Sequence, residues 1–168
     1  MSEQRDGESA LPFDPGTLSD ATVTFIGKVE SPWTERSACP KNMAAARQAG
    51  QPARLLVDEA YRPGLAGLER SSHAIVLTWL DRSARNLIVQ KPRHAEHASG
   101  VFALRSPARP HPIGLHVCRI VGIDHTKGIV ELEAIDVLDG TPLVDIKPYF
   151  ASTDSIPEAI RAGREPSD

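Results

Sequence analysis

The chain has 168 residues, 40% of them hydrophobic and 24% charged, which is enough for one globular domain with its own core. The sequence contains no apolar run long enough to cross a bilayer, and its polar first residues lack the order of a secretory signal, so we expect a cytoplasmic protein. The two cysteines are too few for a disulfide framework and are expected to be free thiols.

The net charge of −3 gives the whole chain no attraction to nucleic acid, but the charge is unevenly distributed. Between 82 and 119 there are seven Lys/Arg and one acid, a local balance of +6. Between 120 and 145 six acids accompany one lysine, a balance of −5. This asymmetry is compatible with an anionic partner on one face, and equally with two solvated faces of opposite sign.

Short apolar runs with β-branched residues, each bounded by Gly, Pro, Asp or Ser, predict seven strands. They lie at 23–29, 53–61, 73–80, 86–91, 100–104, 114–124 and 128–138. His125–Gly128 is the predicted hairpin connection between the last two. Consecutive short strands favour a closed antiparallel sheet, because closure removes exposed edges. We therefore predict a mainly β, single-domain β-barrel at 21–163, between a flexible tail at 1–20 and a second tail at 164–168.

Two short helices are predicted beside the strands. One or two helical turns are expected within 64–71, at and after the Gly-Leu-Glu segment. A C-terminal helix is predicted to begin at Ser155 as N-cap, because Pro157 lies in its first turn and Glu158 at the capping-box position. Gly163 is its predicted stop signal.

The stretch from Gly100 to Ile120 contains prolines at 107, 110 and 112. Proline removes a backbone donor and biases the preceding residue toward an extended conformation, so Ser106, Arg109 and His111 are predicted to lie on a stiff loop rather than a helix. A rigid loop would hold Arg105 and Arg109 with little entropy lost on binding, and guanidinium suits bidentate bonds to phosphate or carboxylate. A proline-braced corner of the sheet is the alternative interpretation, which explains the prolines but not the paired arginines.

Other possible sites are weaker. His94 and His97 lie three residues apart, but no cysteine or carboxylate pair with metal spacing accompanies them, and we predict no metal site. Cys118, in the middle of a predicted strand, is expected to be a buried, inert thiol. Asp139-Gly140 predicts a turn, whereas Asp136 at a strand end is a candidate ligand contact.

Two long motifs carry a resemblance to a known family. "GVFALRSPARPHPIGL" and "LDGTPLVDIKPY" resemble the patterns G-x-F-A-T-R-S-x-x-R-P-N-P-I-G and D-G-T-P-x-x-D-I-K-P-Y of the TsaA-like domain of S-adenosylmethionine-dependent tRNA methyltransferases. "FIGKVESPWTERSACPKN" is similar to that family's first strand and Pro-Arg-Gln loop, and "GLERSSHAIVL" to its Gly-Leu-Glu…Ser-His segment. In this order the similar segments cover the chain from about Ala21 to Phe150.

The resemblance implies a β-barrel, usually a homodimer, that methylates the exocyclic nitrogen of threonylcarbamoyladenosine next to the tRNA anticodon. It also implies S-adenosylmethionine contacts at the positions that match the family's contact segments. These are Pro40, Lys41, Asn42, Asp81, Arg82, Arg105, Leu115, Glu133, Ala134, Ile135 and Asp136. On the substrate side, facing the tRNA anticodon stem-loop, we expect Arg109, His111 and Asp139.

Three departures from the family patterns bear on the substrate. Lys41-Asn42 stands where Arg-Gln is usual, Leu104 replaces a threonine, and His111 replaces an asparagine. Lysine lacks the bidentate fork of arginine, and a histidine can make binding pH-sensitive. Two further hypotheses therefore stay open: a noncatalytic barrel that binds S-adenosylmethionine or RNA, and a methyltransferase with another substrate.

Overall fold

The computed structural model describes residues 5–18, 21–92 and 95–160, and the fold is mainly β, as predicted. The strands are β1 (Ser9–Ala10), β2 (Gly27–Glu30), β3 (Ala53–Val57), β4 (His73–Trp79), β5 (Leu87–Gln90), β6 (Ser99–Gly100), β7 (Ile113–Asp124), β8 (Ile129–Leu132) and β9 (Pro142–Pro148). Six of them follow one another in the order β2-β3-β8-β7-β4-β9, and the ring closes because β9 also pairs with β2. β1, β5 and β6 form a three-stranded sheet.

The helices are short. The α-helices are α1 (Met43–Ala49) and α2 (Ala151–Asp154), and the 3-10 helices are Pro15–Thr17, Glu59–Leu65, Leu68–Arg70 and Val101–Ala103. Within the described ranges no helix has the length and hydropathy needed to cross a bilayer.

Alternation along the strands decides which side chains enter the ring. In β4 the buried residues are Ala74, Val76 and Thr78, and in β7 the inward residues His116 and Cys118 alternate with more exposed ones. Most inward residues are apolar and form the core: Val29, Leu55, Val76, Cys118, Val130, Leu132, Ile135 and Leu143. Thr78 and His116 are polar, and they mark the end of the ring where β4 ends and β7 begins. That end holds the candidate site.

The predicted C-terminal helix is wrong over its described part. α2 ends at Asp154, and Ser155 is its C-cap rather than the N-cap of a following helix. Residues 155–160 contain only a turn, and Gly163 lies outside the described residues. Ile156 and Ile160 are 63% and 84% exposed, so no apolar face is buried, and capping residues alone do not stabilise so short a helix.

The helix predicted around the Gly-Leu-Glu segment is also misplaced. The 3-10 helix Leu68–Arg70 confirms a helical turn within 64–71, but it lies within the segment rather than after it, where β4 begins at His73. The predicted strand at 100–104 is mostly the 3-10 helix Val101–Ala103, and the first strand of the ring is 27–30 rather than 23–29. β1, inside the predicted N-terminal tail, pairs with β5. The predicted hairpin at 125–128 is confirmed.

α1 and β9 also had no prediction. α1 has Asn42 as N-cap, whose side chain accepts from the Ala45 amide at 2.9 Å, and Gly50 ends it in the left-handed conformation with φ of 63°. An alanine-rich run between such caps is a recognisable helix signal. β9 has prolines at both ends, and proline is tolerated where a strand begins or ends.

Candidate functional site

A cavity of about 1010 Å³ opens at the end of the ring where β4 ends and β7 begins; we call it the first cavity. Four segments that are distant in the sequence line it, at 36–43, 77–83, 105–116 and 136–141. The cofactor contacts expected from the sequence that line it are Pro40, Lys41, Asn42, Asp81, Arg82, Arg105, Leu115 and Asp136. Arg109 and His111, expected on the substrate side, also line it. The fold thus brings most of the predicted site together.

Four of the predicted site residues lie elsewhere. Ala134 and Ile135 are buried, and the Ile135 carbonyl accepts from Nε1 of Trp33 at 2.9 Å. Glu133 lines a second, smaller cavity. Asp139 occupies the predicted turn, where its Oδ1 accepts from the Ser31 amide at 3.0 Å. Ile135 and Asp139 therefore support the segment that carries Asp136, and none of the four residues lines the first cavity.

Asp136 and His116 form a largely buried polar pair of the site. Nδ1 of His116 donates to Oδ1 of Asp136 at 2.6 Å, and the side chains are only 6% and 15% exposed. Nε2 of His116 bonds to Oγ1 of Thr78 at 3.0 Å. Both ring nitrogens therefore have partners, and the imidazole holds the carboxylate in one orientation at the cavity wall.

Gly114 makes this arrangement possible. It lies opposite Thr78 in the β4–β7 pair, and a Cβ atom at this position would overlap the Thr78 hydroxyl. The same Cβ would lie 2.5 Å from Nε2 of His116. Glycine is therefore required by the close approach of these two side chains.

His116 was absent from the predicted site, although a signal for it exists. It shares its phase in β7 with Cys118, which the sequence places as a buried residue. Because side chains on a strand alternate between faces, His116 also points inward, where an imidazole needs a hydrogen-bond partner. The sequence gives no indication that this partner is Asp136, twenty residues away.

The proline-containing loop is non-helical, as predicted, and is anchored at both ends. The Pro112 carbonyl accepts from the Leu80 amide at 2.8 Å, and the Pro110 carbonyl accepts from Nε of Arg85 at 2.9 Å. Nη1 of Arg109 donates to the Leu104 carbonyl at 3.0 Å, and Nη2 of Arg105 to the Leu115 carbonyl at 3.1 Å. Each guanidinium has five donors, so these bonds position the group and leave further donors toward the cavity.

Positive charge dominates the lining of the first cavity. Its Lys/Arg side chains are Arg36, Lys41, Arg82, Arg105 and Arg109, against the carboxylates of Asp81 and Asp136. Apolar side chains, among them Met43, Leu77, Leu80 and Leu115, provide the rest of the wall. This combination suits a ligand that has both an apolar body and charged groups.

The two cysteines differ in their surroundings. Desolvation, with a further contribution from the Asp136 charge, raises the pKa of Cys118 to about 12. The same causes raise the pKa of Cys39, which Arg36 partly offsets, but Cys39 is only partly buried and lines the first cavity. The expectation that Cys118 is a buried thiol is confirmed.

We predict that alkylation of the native protein by iodoacetamide at pH 8 stops at one adduct, on Cys39, because the thiolate is the reactive form and Cys118 is both protonated and inaccessible. Mass spectrometry of the intact chain counts the adducts. Denaturant should expose Cys118 and allow the second adduct to form. A second adduct under native conditions contradicts the burial of Cys118.

The raised pKa of Cys118 also makes stability depend on pH. An unfolded thiol ionises near pH 9.0 and folded Cys118 near 12. The contribution of Cys118 to the free energy of unfolding is therefore present below pH 9.0 and is lost as pH rises toward 12.

The fold and the site define a class of protein: a mainly β domain with a closed six-stranded sheet and a basic, partly apolar ligand cavity at one end. The protein-family model named tRNA-methyltransferase O N-terminal domain matches residues 28–155 of the chain. The chain belongs to this family, and the resemblance found in its motifs is confirmed.

Similar proteins occur in archaea and bacteria. A probable S-adenosyl-L-methionine-binding protein of Methanothermobacter thermautotrophicus is 36% identical over 141 residues, which cover 83% of this chain and 98% of that protein. A tRNA (adenine(37)-N6)-methyltransferase of Escherichia coli is 34% identical over 148 residues, covering 84% and 63%. A probable S-adenosyl-L-methionine-binding protein of Archaeoglobus fulgidus is 37% identical over 134 residues, and the chain spans only 35% of its length.

Solved structures show the same fold. A crystal structure of TrmO superposes with a TM-score of 0.70 at 31% identity, covering 84% of this chain and 63% of the other. TrmO from Pseudomonas aeruginosa gives a TM-score of 0.68 at 30% identity, covering 86% and 63%. The chain therefore spans about two thirds of the TrmO proteins that it resembles.

Proposed function

We propose that this protein is an S-adenosylmethionine-dependent methyltransferase that acts on the exocyclic nitrogen of threonylcarbamoyladenosine next to the tRNA anticodon. The observation that carries the proposal is the first cavity, in which the family's motif residues meet around the His116–Asp136 pair. The names of the Escherichia coli and archaeal relatives support the reaction and the cofactor.

The lining of the first cavity fits S-adenosylmethionine in chemical terms. The Asp136 carboxylate, held by His116, suits ribose hydroxyls or an ammonium group, and the Arg105 guanidinium suits a carboxylate. Apolar side chains such as Met43 and Leu80 suit the adenine ring and the methylene groups. When bound, the cofactor supplies an electrophilic methyl group on its sulfonium. The protein's task is to hold the accepting nitrogen in line with it.

The substrate side is assigned to Arg109 and His111. Arg109 is partly buried, lines the first cavity, and is fixed by its bond to the Leu104 carbonyl. We propose that its remaining donors hold the threonyl carboxylate or a phosphate of the anticodon loop. The excess of Lys/Arg over carboxylates in the cavity favours such an anionic substrate.

The remaining parts of the proposal concern architecture and context. We propose that the closed six-stranded sheet is a β-barrel within a domain at 21–163, that the protein is a homodimer, and that it acts in the cytoplasm on the tRNA anticodon stem-loop. The match of the family model to 28–155 supports the domain limits. Size-exclusion chromatography with light scattering tests the dimer.

Arg109→Ala tests the substrate assignment. We expect methyl transfer to tRNA to fall about tenfold or more while S-adenosylmethionine affinity, measured by calorimetry, stays within about twofold of wild type, because one charge-assisted contact is lost on the substrate side only. Arg54→Ala, on the exposed part of β3, is the matched control and should change neither quantity. Equal loss of cofactor affinity in Arg109→Ala would contradict the assignment.

Two outcomes would favour the other hypotheses. Cofactor binding without methyl transfer to any tRNA would favour a noncatalytic binding module. Transfer to tRNA that lacks the threonylcarbamoyl group would favour a methyltransferase with another substrate, with Lys41-Asn42 and His111 as the residues to examine first.

A further inference from the structure

A second cavity lies beside the first and has its own chemistry. It is open, with a volume of about 610 Å³, and its side chains include Arg47, His73, Arg119, Glu133 and Tyr149. Nothing in the methyl-transfer reaction proposed above uses these groups. Their combination of cations, one carboxylate and two rings calls for a ligand with several chemical features.

The two cavities are joined by two elements. On β7, Ile113 and Leu115 line the first cavity, whereas Val117 and Arg119, on the same face, line the second. Leu115 and Arg119 are four residues apart, which is about 13 Å along a strand. On α1, Met43 lines the first cavity and Arg47, one turn later, the second. A chain-like ligand can therefore run from one cavity to the other.

The cations of the second cavity suit a phosphodiester. Arg47 is positioned by a bond from its Nη2 to the Val117 carbonyl at 3.2 Å, which leaves other donors of the guanidinium available. Arg119 is exposed and lies on β7, two residues after Val117. Two guanidinium groups on one cavity wall are the usual means of holding a phosphate.

The other groups suit a ribose and a base. His73 and Tyr149 are partly exposed, with ring centroids 6.5 Å apart in an edge arrangement, and Nδ1 of His73 is held by Oγ of Ser72 at 2.9 Å. Fixed rings of this kind can stack on an unpaired base. Glu133 would repel a bare phosphate, but its carboxylate can accept from a ribose 2′-hydroxyl, the group that distinguishes RNA from DNA.

We propose that the second cavity binds a ribonucleotide that neighbours the one received by the first cavity, an inference that rests on the proposed action on RNA. Arg47 and Arg119 hold its phosphate, Glu133 its 2′-hydroxyl, and His73 with Tyr149 its base. The site contributes affinity and register for the RNA and takes no part in cofactor binding.

The test uses the whole chain and a synthetic anticodon stem-loop RNA, with binding followed by fluorescence anisotropy over a range of salt concentrations. We expect Arg119→Ala to weaken RNA binding about tenfold and to lower the salt slope by about one, because one phosphate contact is lost. Its S-adenosylmethionine affinity should be unchanged, and Arg54→Ala should resemble wild type in every assay.

Glu133→Ala tests the ribose contact separately. Wild type should bind the all-ribose loop about threefold or more tightly than a loop with 2′-deoxy nucleotides, and the variant should lose this preference. Wild-type behaviour of both Arg119→Ala and Glu133→Ala, with RNA still bound and methylated, would overturn the second-cavity site alone. If wild type binds no RNA even at low salt, the proposed action on tRNA fails, and this site fails with it.

Discussion

Gly114→Ala is expected to destabilise the protein and to disable the first cavity. The added methyl group would overlap the Thr78 hydroxyl and crowd the His116 imidazole, neither of which is at the end of a flexible side chain. Overpacking of this kind typically costs about 1–3 kcal/mol of unfolding free energy. Relief requires His116 to move, and Asp136 then loses its partner. We expect S-adenosylmethionine affinity to fall by about tenfold or more.

Chemical denaturation and calorimetry measure these two effects. Gly64→Ala is the matched control, because a Cβ atom at Gly64 meets nothing within 4 Å and the residue lies outside the lining of the first cavity. Its stability should remain within about 0.5 kcal/mol of wild type. Wild-type stability and affinity in Gly114→Ala would show that the close packing of β4 and β7 at this point is not required.

Asp136→Ala is expected to weaken S-adenosylmethionine binding at least about tenfold. The substitution removes the most buried carboxylate of the first cavity and leaves Nδ1 of His116 without its acceptor. Asp136→Asn keeps an acceptor for His116 but removes the charge, so a loss of affinity in this variant as well shows that the charge itself serves the ligand. Calorimetric titration measures both.

Two further measurements distinguish a role of Asp136 in ligand binding from a purely structural role. Asp145→Ala, on β9 and paired with Lys147, removes a carboxylate outside the lining of the first cavity and should leave cofactor affinity unchanged. Because the Asp136 charge helps to raise the pKa of Cys39, Asp136→Asn should also speed alkylation of Cys39 at fixed pH. If both Asp136 variants bind the cofactor as wild type does, the cavity is wrongly assigned.

Most strands of the ring and the motif positions were accessible from the sequence because they depend on local signals. Alternation in β4 and β7 fixes which residues point inward, and the family motifs led to the prediction of Arg105 and Asp136 as cofactor contacts, both of which line the first cavity. The proline loop also has the non-helical conformation predicted for it, which follows from the prolines themselves. These features require no knowledge of what packs against them.

The remaining features depend on contacts between distant segments. The failed helix at Ser155 has correct capping residues but no surface to pack on, which no local pattern reveals. The His116–Asp136 bond and the separation of Glu133 from Asp136 into two cavities arise only when β7 meets the segment after β8. Asp139 was expected to contact substrate, yet its carboxylate bonds to Ser31, 108 residues away.

The central claim is methyl transfer to a modified tRNA nucleoside, and the mass of the product tests it most directly. Purified protein is incubated with S-adenosylmethionine and with tRNA that carries, or lacks, the threonylcarbamoyl group, and the digested nucleosides are analysed by mass spectrometry. We predict that threonylcarbamoyladenosine gains the mass of one methyl group, that tRNA lacking the modification gains none, and that Asp136→Ala abolishes the gain. An unchanged nucleoside spectrum, under conditions where the protein demonstrably binds the cofactor and the tRNA, would contradict the claim.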